Sequence, residues 1–523
     1  MTSGRGLPIL SGLNRDEQLS RLADDSEPWD LVVIGGGATG LSIALDSATR
    51  GYRTALLEQA DFAEGTSSKS TKLIHGGVRY LRNGEIGLVR ESLRERGRLL
   101  RNAAGIVEPL AFVVPAYRWH ERLFYGTGLS IYDRLAGDLG IGRTGHLDRK
   151  AVSSRIPNLR RRGLRGGTLY WDGQFDDAAL ALAMARTAVA HGAAVVNHVR
   201  VTGLVKENGR IRGVEAKTRF DGRELRLRSR VVVNATGVFT DEVRRLDDPG
   251  AGESVRPSQG IHLVLDRSFL GGDTAVMIPK TEDGRVLFLI PWKNRLLLGT
   301  TDTEGVETSL HPRPLAEEID YLLRHAAGYL EKVPTHDDLR ATFAGLRPLA
   351  GPPKTGKGDG STASLSRSHC LFTSASGLVT MTGGKWTTCR QMGEDAVDRA
   401  VAVGGLEPRP CRTAELTLLG PGQVEATGAD GFIDPALPYR WSEVDRAVRE
   451  EMALTLDDVL SRRTRCAFLD ETASLRCAPA VAARMAEWMG RDAAWVRGEV
   501  AAFAALQGVP TSQSPSVVDP DGS

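Results

Sequence analysis

A glycine-rich turn lies between an apolar run and an alanine-rich run near the amino end of the chain. Residues 29–40 read Trp-Asp-Leu-Val-Val-Ile-Gly-Gly-Gly-Ala-Thr-Gly, which places glycines at Gly35, Gly37 and Gly40. The first allows a tight turn after a strand, the second lets a pyrophosphate approach the backbone, and the third lets helix and strand pack closely. Glu58 closes the next apolar run, where an acid accepts hydrogen bonds from ribose hydroxyls. The pattern predicts a dinucleotide site, for NAD or FAD, that repels a phosphorylated ribose.

A second stretch, residues 61–80, is too rich in small polar residues and glycine to be an ordinary core element. We interpret it as a ligand-binding loop. It offers hydroxyls, backbone amides and one charge suited to a pyrophosphate and to the edges of a ring. These come from Ser67, Ser68, Lys72, His75, Gly76 and Gly77.

The elements that must position these residues alternate between helices and strands. Residues 175–191 have helical spacing, 194–205 and 211–217 have strand spacing, and 230–237 read as a buried strand that ends on a glycine turn. Residues 254–303 are rich in strands and indicate a second domain inserted into the first. Beyond a Gly-Pro-Gly linker, residues 441–506 are almost entirely helical by period.

Composition limits the classes of protein and partner. The 67 basic and 65 acidic residues leave a formal charge of +2, which gives no general attraction to nucleic acid. No run of about 18 apolar residues lacks a charge, which excludes a membrane-spanning helix and leaves peripheral attachment open. Five cysteines without a CxxC pair predict neither a disulfide framework nor a metal site and favour a reducing compartment. Residues 1–28 lack the features of an export signal.

Segments spread over the whole chain carry a resemblance to one family. They are the fingerprint at 29–40, Asn-Ala-Thr-Gly at 234–237, Gly-Leu-Arg-Pro-Leu at 345–349 and Gly-Gly-Lys-Trp-Thr-Thr at 383–388. Together they resemble FAD-dependent glycerol-3-phosphate dehydrogenase of the respiratory type. The sharpest match is Thr-Ser-Ser-Lys-Ser-Thr-Lys-Leu-Ile-His-Gly-Gly-Val-Arg-Tyr at 66–80, and 457–465 resembles the family's helical C-terminal domain.

The resemblance implies an α/β fold. Its parts are a Rossmann-like FAD-binding domain of the glutathione-reductase and D-amino-acid-oxidase type, an interleaved sheet-containing substrate domain, and an α-helical C-terminal domain. We predict a flexible leader at 1–28 and a flexible tail at 507–523. The FAD-binding domain takes 29–110, 170–250 and 370–410, the substrate domain takes 111–169 and 251–369, and the helical cap takes 423–506.

The matching segments together supply the residues of one flavin site. A flavin that takes a hydride becomes anionic, so the site needs positive potential, which a helix N-terminus beginning at Lys385 can supply. Gly383 and Gly384 permit close approach of a planar ring, and Thr387 and Thr388 can cap the helix. The predicted cofactor-binding residues are Gly35, Gly37, Gly40, Glu58, Thr66, Ser67, Ser68, Lys72, His75, Gly76, Gly77, Ala235, Gly237, Gly383, Gly384, Lys385, Thr387 and Thr388.

The substrate side depends on cations, because a phosphomonoester dianion favours arginine forks that bind two oxygens at once. The resemblance places cations from four distant segments around one pocket and adds Tyr80 to it. Predicted substrate-binding residues are Arg79, Tyr80, Arg347, Arg367 and Lys385, and predicted catalytic residues are His262, Arg347, Lys385 and Arg79. His262 is the candidate base, since imidazole titrates near working pH. The cationic pocket could instead stabilise the alkoxide and leave the proton to water.

The predicted reaction is oxidation of sn-glycerol 3-phosphate to dihydroxyacetone phosphate, with the C2 hydride moving to flavin N5. No second nicotinamide module is present, so the electrons must leave to a quinone, oxygen or a carrier protein, and the resemblance implies a membrane quinone. The protein is expected in the cytoplasm, peripheral on the inner face of the plasma membrane, and a homodimer is compatible with the family.

Three alternatives stay open at this point. The chain could be a flavin amine or amino-acid oxidase, whose substrate carboxylate usually needs one arginine. It could be a glycerol-3-phosphate oxidase that uses oxygen. It could also be a flavin-free binding protein on the same fold, as guanine-nucleotide dissociation inhibitors exemplify, although an intact Glu58 and glycine set argue against this.

Overall fold

The computed structural model describes residues 13–82, 84–279, 281–282, 284–351, 369–420 and 430–509, without the side chains of Arg79 and Arg82. The strands are β1 (Trp29–Ile34), β2 (Thr54–Leu57), β3 (Leu73–Ile74), β4 (Val107–Ala116), β5 (Gly145–Leu147), β6 (Gly166–Phe175), β7 (Ala194–Val196), β8 (Val199–Glu207), β9 (Arg210–Thr218), β10 (Glu224–Asn234), β11 (Val255–Asp266), β12 (Ala275–Ile278), β13 (Leu287–Trp292), β14 (Arg295–Gly299), β15 (Leu339–Ala350), β16 (His369–Thr373) and β17 (Val379–Gly383).

The helices are α1 (Arg15–Leu22), α2 (Ala38–Thr49), α3 (Val78–Arg82), α4 (Ile86–Asn102), α5 (Trp119–Leu135), α6 (Arg149–Arg155), α7 (Asp177–Ala190), α8 (Thr240–Asp247), α9 (Ala316–Ala327), α10 (Cys389–Gly404), α11 (Trp441–Glu450), α12 (Cys466–Leu469), α13 (Glu471–Met489) and α14 (Ala493–Leu506).

The first sheet is parallel around β1, which pairs with β10 on one side and β2 on the other. Its order is β16-β17-β10-β1-β2-β7, and β8 and β9 extend it as an antiparallel meander from β10. Leu31, Val32 and Val33 have no exposed surface, as expected of a strand covered on both faces. The carboxyl ends of β1 and β10 lie side by side, since Ile34 pairs with Asn234. The glycine turn after β1 and the turn after β10 therefore meet at one edge.

The second sheet has the order β15-β11-β14-β13-β12-β4-β6-β3, with β5 paired to β6. Its strands pair antiparallel except for β12 and β4. Two of the predicted site residues stand on its neighbouring strands: His262 of β11 lies opposite Phe343 of β15, and Arg347 lies opposite Ser258 further along the same pair. The register of one strand pair thus sets their relative position.

The C-terminal helices pack on the second sheet. Leu456 and Val481 of the helical part share one continuous core with Phe112 and Trp292 of the sheet. Gly490, with φ +62°, ends α13 in the left-handed conformation that glycine adopts readily. The predicted helical domain is present, and among the described residues no helix is long and apolar enough to cross a bilayer.

The leader differs from our expectation. We predicted that residues 1–28 would be flexible, but Arg15–Leu22 form α1, capped by the Asn14 side chain. Leu19 and Leu22 are buried against the first sheet in one cluster with Val32. Apolar residues three apart give a short helix one buried face, and the polar composition of the segment concealed this.

The proposed domain limits stay a prediction. Two of them, at residues 110 and 170, fall inside β4 and β6, which pair with each other along their whole length in the second sheet. The predicted linker and tail lie largely outside the described residues. Within the described part the chain passes from the first sheet to the second, and it returns to the first sheet at β7 and again at β16.

Candidate functional site

The turn after β1 requires glycine for steric reasons. Gly35 has φ +109°, and a Cβ atom there would lie 2.6 Å from the carbonyl oxygen of Ala235. A Cβ at Gly40 would overlap the carbonyl oxygen of Gly35. Gly37 directly precedes α2 and has no side chain to cap it. The amide of Ala38 at this end of the helix donates to Ser67 Oγ, and the positive end of α2 stabilises an anionic group placed beside it.

Glu58 closes this turn from the second strand. Its carboxylate accepts hydrogen bonds from the amides of Gly36, at 2.5 Å, and Ala60, at 2.8 Å. Burial raises the pKa of Glu58 to about 7, although both amide bonds act in the opposite direction. The two bonds hold the carboxylate beside the glycine turn, with lone pairs left for a ribose.

Gly36 is a site residue that sequence reasoning missed. A Cβ atom at this position would lie 2.7 Å from Cβ of Glu58. Any side chain here would push away the acid that its amide binds. The run of three consecutive glycines was the available signal, but the fingerprint assigns a role only to the first and third of them.

A cavity of about 2520 Å³ joins this turn to the second sheet. Most of the predicted site residues line it, although they come from segments hundreds of residues apart. They are Gly35, Gly37, Glu58, Thr66, Ser67, His75, Gly77, Tyr80, Ala235, Gly237, His262, Arg347, Gly383, Gly384, Lys385 and Thr387.

The remaining predicted residues either do not line the cavity or lie outside the part of the chain that the structure describes. Gly40, Gly76 and Thr388 lie behind its wall, and so do Ser68 and Lys72. The side chain of Arg79 and all of Arg367 lie outside the described residues. Their predicted roles rest on the resemblance alone.

Lys72 faces away from the cavity. Its Nζ donates to Asp177 Oδ2 at 2.6 Å and to the carbonyl oxygen of Ser68 at 2.7 Å, and the side chain has no exposed surface. Burial lowers the pKa of Lys72 to about 7, with Arg465 acting in the same direction. This lysine anchors the loop, and the structure does not bring it to a pyrophosphate.

The loop that we expected to bind the cofactor is held by bonds to the turn after β1 and to the segment after β17. Ser67 Oγ accepts from the amide of Ala38 at 3.0 Å, and Trp386 Nε1 donates to the carbonyl oxygen of Ser67 at 2.9 Å. Thr387 Oγ1 accepts from the amide of His75 and donates to its carbonyl oxygen, each at 3.1 Å. Thr387 therefore joins the two glycine-rich segments that flank the cavity.

Arg347 is fixed by several acceptors. Its guanidinium donates to Thr300 Oγ1 at 3.0 Å, to the carbonyl oxygen of Thr301 at 2.9 Å and to Asp302 Oδ1 at 3.2 Å. A Cβ atom at Gly260 would overlap the Arg347 guanidinium, so the arginine lies flat against β11. It lines the cavity with part of its charge turned to Asp302.

Lys385 stands over an aromatic ring. Its Nζ lies 3.8 Å from the centroid of Tyr80, a distance at which the ring quadrupole stabilises an ammonium ion. Lys385 follows Gly383 and Gly384, whose φ values are +76° and +74°, and directly precedes a helical turn. The cavity thus receives a positive charge beside a glycine pair.

His262 is buried in the wall between the two strands. The ring stacks on Phe343 with centroids 4.8 Å apart, and its Nε2 lies 3.0 Å from Thr71 Oγ1. Burial lowers the pKa of His262 well below its ordinary value, and the charges of Lys72 and Arg347 act in the same direction. The imidazole is therefore neutral near pH 7 and can accept a proton.

The cavity wall also contains residues that the sequence analysis did not predict. Lys69 donates to the carbonyl oxygen of Glu64 at 2.9 Å, and burial lowers its pKa to about 8. Thr71 and Asp302 contact the predicted residues His262 and Arg347. No local pattern indicated Thr71 or Asp302, because each contacts a residue of a distant strand.

The residues present fit an FAD. The sterically required glycines and Glu58 match the adenosine and pyrophosphate part, and the pair Gly383–Gly384 beside Lys385 matches a planar ring that gains negative charge. One continuous cavity connects the two parts.

Comparison with known proteins agrees with this fit. Residues 30–390 match the model of the family described as FAD dependent oxidoreductase, and residues 411–495 match the C-terminal domain of alpha-glycerophosphate oxidase. The chain is 38% identical to the mitochondrial glycerol-3-phosphate dehydrogenase of Mesocricetus auratus, over 92% of this chain and 73% of that protein. It is 42% identical to the mitochondrial glycerol-3-phosphate dehydrogenase of Arabidopsis thaliana, over 79% of this chain and 68% of the relative.

A solved structure is similar over nearly the whole chain. The glycerol-3-phosphate dehydrogenase of Bacillus halodurans, complexed with FAD, superposes with a TM-score of 0.72 at 28% identity and covers 94% of this chain and 95% of its own. These matches confirm the predicted fold class and the predicted cofactor, FAD.

Proposed function

The chain belongs to the family of FAD-dependent glycerol-3-phosphate dehydrogenases, and from this premise we propose that it oxidises sn-glycerol 3-phosphate to dihydroxyacetone phosphate. Bound FAD supplies the hydride acceptor. The observation that carries the proposal is that Arg347, Lys385 and His262 line the same cavity as the glycine turn and Glu58. Two cations and a neutral base beside a flavin site suit an alcohol that carries a phosphate.

The cations bind the phosphate and orient the alcohol. Arg347 exchanges its bond to Asp302 for a phosphate oxygen, and such a charge-assisted bond contributes about 1.5 to 3 kcal/mol. Lys385 adds a point charge from the opposite sheet. Arg79 and Arg367 join them in our proposal on the strength of the resemblance. A substrate with one carboxylate, as in amino-acid oxidases, would leave most of this charge unpaired.

His262 accepts the proton of the C2 hydroxyl. Burial is the main cause of the low pKa of His262, and the charges of Lys72 and Arg347 lower it further; a bound phosphate dianion offsets these two charges and so raises the pKa of the imidazole. A base that is neutral before binding and stronger after it suits this step.

The electrons pass to a quinone at a membrane surface in our proposal. The support is α5, whose side chains Trp119, Leu123 and Phe124 are 77%, 67% and 63% exposed and line the mouth of the cavity. With 100° per residue they share one face of the helix with Ile131. An exposed apolar face of this kind next to a redox site is typical of attachment to a lipid surface.

Basic residues flank this apolar face. Arg118, Arg122 and Arg134 are exposed at or near the two ends of α5, and cations beside an apolar helix face strengthen binding to anionic lipids. We therefore propose that the protein lies on the inner face of the plasma membrane, with the mouth of its cavity turned to the bilayer.

The test is anaerobic titration of the purified yellow protein. Addition of sn-glycerol 3-phosphate should bleach the flavin absorbance, whereas glycine or sarcosine should leave it unchanged. Reoxidation is then followed with a water-soluble quinone or with air. Rapid reoxidation by quinone supports the dehydrogenase, while faster reoxidation by air would favour the oxygen-using oxidase. Absence of bleaching by sn-glycerol 3-phosphate would refute the proposed substrate.

A further inference from the structure

Thr71 contacts the candidate base directly. Its Oγ1 lies 3.0 Å from Nε2 of His262, although the two residues are 191 positions apart. The threonine is half-buried and lines the cavity, whereas the imidazole is 2% exposed. Within the described part of the chain, Thr71 is the one hydrogen-bond partner of the His262 ring nitrogens.

The imidazole cannot turn to find another partner. Phe343 stacks on one face with an angle of 16° between the ring planes. A Cβ atom at Gly299 would overlap the Cδ2 edge of the imidazole, so the backbone of β14 closes the other side. The ring therefore keeps one orientation, and Nε2 stays directed at Thr71.

The loop that carries Thr71 is fixed as firmly as the ring. Ser70 Oγ and Lys72 Nζ both donate to Asp177 Oδ2, at 2.7 Å and 2.6 Å. Arg465 from the C-terminal domain donates to the carbonyl oxygen of Ser68 at 2.8 Å and pairs with Asp177 Oδ1 at 3.2 Å. Residues on both sides of Thr71 are thus anchored to the beginning of α7, which leaves its hydroxyl little freedom except rotation.

A threonine hydroxyl can both donate and accept a hydrogen bond. It can donate to the neutral Nε2 before the substrate binds; when the substrate hydroxyl takes over as donor and gives its proton to Nε2, the threonine hydroxyl rotates and accepts from Nε2–H. No side chain has to move between the two states. A valine of the same shape would leave Nε2 buried without this bond, which penalises the charged state most.

We infer that Thr71 is a positioning residue for the base of the reaction, holding Nε2 of His262 in both of its protonation states. The inference rests on the proposed function, in which His262 takes the proton of the substrate hydroxyl. The charges that face the imidazole are those of Lys72 behind it and Arg347 on the neighbouring strand. The Thr71 hydroxyl is an uncharged partner that stabilises the charged imidazole, whereas Lys72 and Arg347 destabilise it.

The experiment compares Thr71→Val and Thr71→Ser with the wild type by stopped-flow reduction of the bound flavin with saturating sn-glycerol 3-phosphate. We expect Thr71→Val to slow reduction about tenfold or more, with the substrate concentration for half-saturation changed less than threefold. Loss of the acceptor for Nε2–H should also move the acid limb of the pH profile to lower pH. Thr71→Ser keeps the hydroxyl and should therefore show the wild-type rate of flavin reduction and the wild-type position of the acid limb.

Thr342→Val is the matched control, because Thr342 is half-buried on β15 next to Phe343 but does not line the cavity. It should behave as the wild type. A wild-type rate and an unmoved limb in Thr71→Val would overturn the inference. So would loss of FAD in Thr71→Val with full retention in Thr71→Ser, since Thr71 would then serve the cofactor. Failure of the wild-type flavin to be reduced would instead overturn the proposed function.

Discussion

His198 Nε2 lies 2.9 Å from Asp458 Oδ2, and neither side chain has exposed surface. His198 follows β7 of the first sheet, while Asp458 begins a short π-helical segment, Asp458–Arg463, that precedes α12. Arg462 of this segment bonds both Asp458, at 2.8 Å, and Asp61, which lies just beyond Glu58. The pair therefore links the C-terminal domain to the strand end that holds the ribose acid.

This pair predicts a pH-dependent attachment of the C-terminal domain. Burial alone would lower the pKa of His198, but the Asp458 carboxylate raises it above its ordinary value. A histidine whose pKa is raised by folding stabilises the folded state. This stabilisation is complete below the pKa of the unfolded state, about 6.5, and is lost as pH rises through the pKa of the folded state. We expect His198→Gln to lower the unfolding temperature more at pH 6 than at pH 9, measured by calorimetry.

His336→Gln is the control for this measurement, because His336 pairs with Asp320 on the surface, where both side chains are more than half exposed. It should change the unfolding temperature little at either pH, since exposed pairs contribute little. An equal loss at pH 6 and pH 9 in His198→Gln would mean that shape, and not charge, holds the domains together.

Lys72 gives a second prediction about stability. Removing one partner of a fully buried ion pair leaves the other charge without compensation, which costs about 3 to 5 kcal/mol. Asp177 keeps its ion pair with Arg465 at 3.2 Å, so we expect Lys72→Met to lower the free energy of unfolding by less than this, about 1 to 3 kcal/mol, measured by urea titration of the FAD-bound protein and of the apoprotein. If Lys72 instead bound the pyrophosphate, FAD affinity would fall and stability of the apoprotein would not.

The two lysines of this loop illustrate what the sequence could predict. The polar loop at 61–80 and its place beside the glycine turn followed from local pattern alone. Which lysine faces the cavity did not, because Lys72 is turned inward by Asp177, 105 residues away, while Lys69 lines the wall. A side chain on a loop takes its direction from its partner, and a partner at that distance leaves no trace in the spacing.

The strand, turn and helix at 29–49 could be predicted well because their determinants are local. The close packing at Gly40 depends on Gly35, five positions away, and Glu58 follows from the length of one helix and one strand, although the steric contact that requires glycine at position 35 comes from Ala235. The positions of His262 and Arg347 depend on the register of β11 with β15, which the sequence does not give. Only the resemblance brought these two residues to one pocket.

Glu58→Ala should weaken retention of FAD. The carboxylate is held beside the pyrophosphate turn by Gly36 and Ala60, and a hydrogen bond to a charged group contributes about 1.5 to 3 kcal/mol, or roughly tenfold to a hundredfold in the dissociation constant. Equilibrium dialysis against FAD measures the change. Glu207→Ala, at an exposed position at the end of β8, is the control. Equal FAD retention in the two variants would make the ribose contact dispensable.

Arg347→Ala should abolish most turnover while the yellow flavin stays bound. Loss of one charge-assisted bond to the phosphate predicts a fall in kcat/KM of about tenfold to a hundredfold. The measurement is dye-linked oxidation of sn-glycerol 3-phosphate alongside the flavin spectrum. Arg340→Ala provides the control, since Arg340 lies exposed on the same strand. Turnover like that of the wild type in Arg347→Ala would remove this arginine from the substrate site.

The face of α5 predicts how the protein meets its electron acceptor. Replacing Leu123 and Phe124 together by Asp removes two apolar side chains, each contributing about 1.5 to 3 kcal/mol when buried in lipid. We expect binding to vesicles of anionic lipid to weaken at least about tenfold, measured by co-sedimentation. Turnover with quinone in the vesicles should fall more than turnover with a soluble dye. The paired control is Val333→Asp with Phe432→Asp, which changes one aliphatic and one aromatic residue, both exposed away from the cavity. Because α5 lines the mouth of the cavity and the control residues do not, equal loss of vesicle binding in both double variants would indicate general surface hydrophobicity and would refute a membrane-facing role for α5.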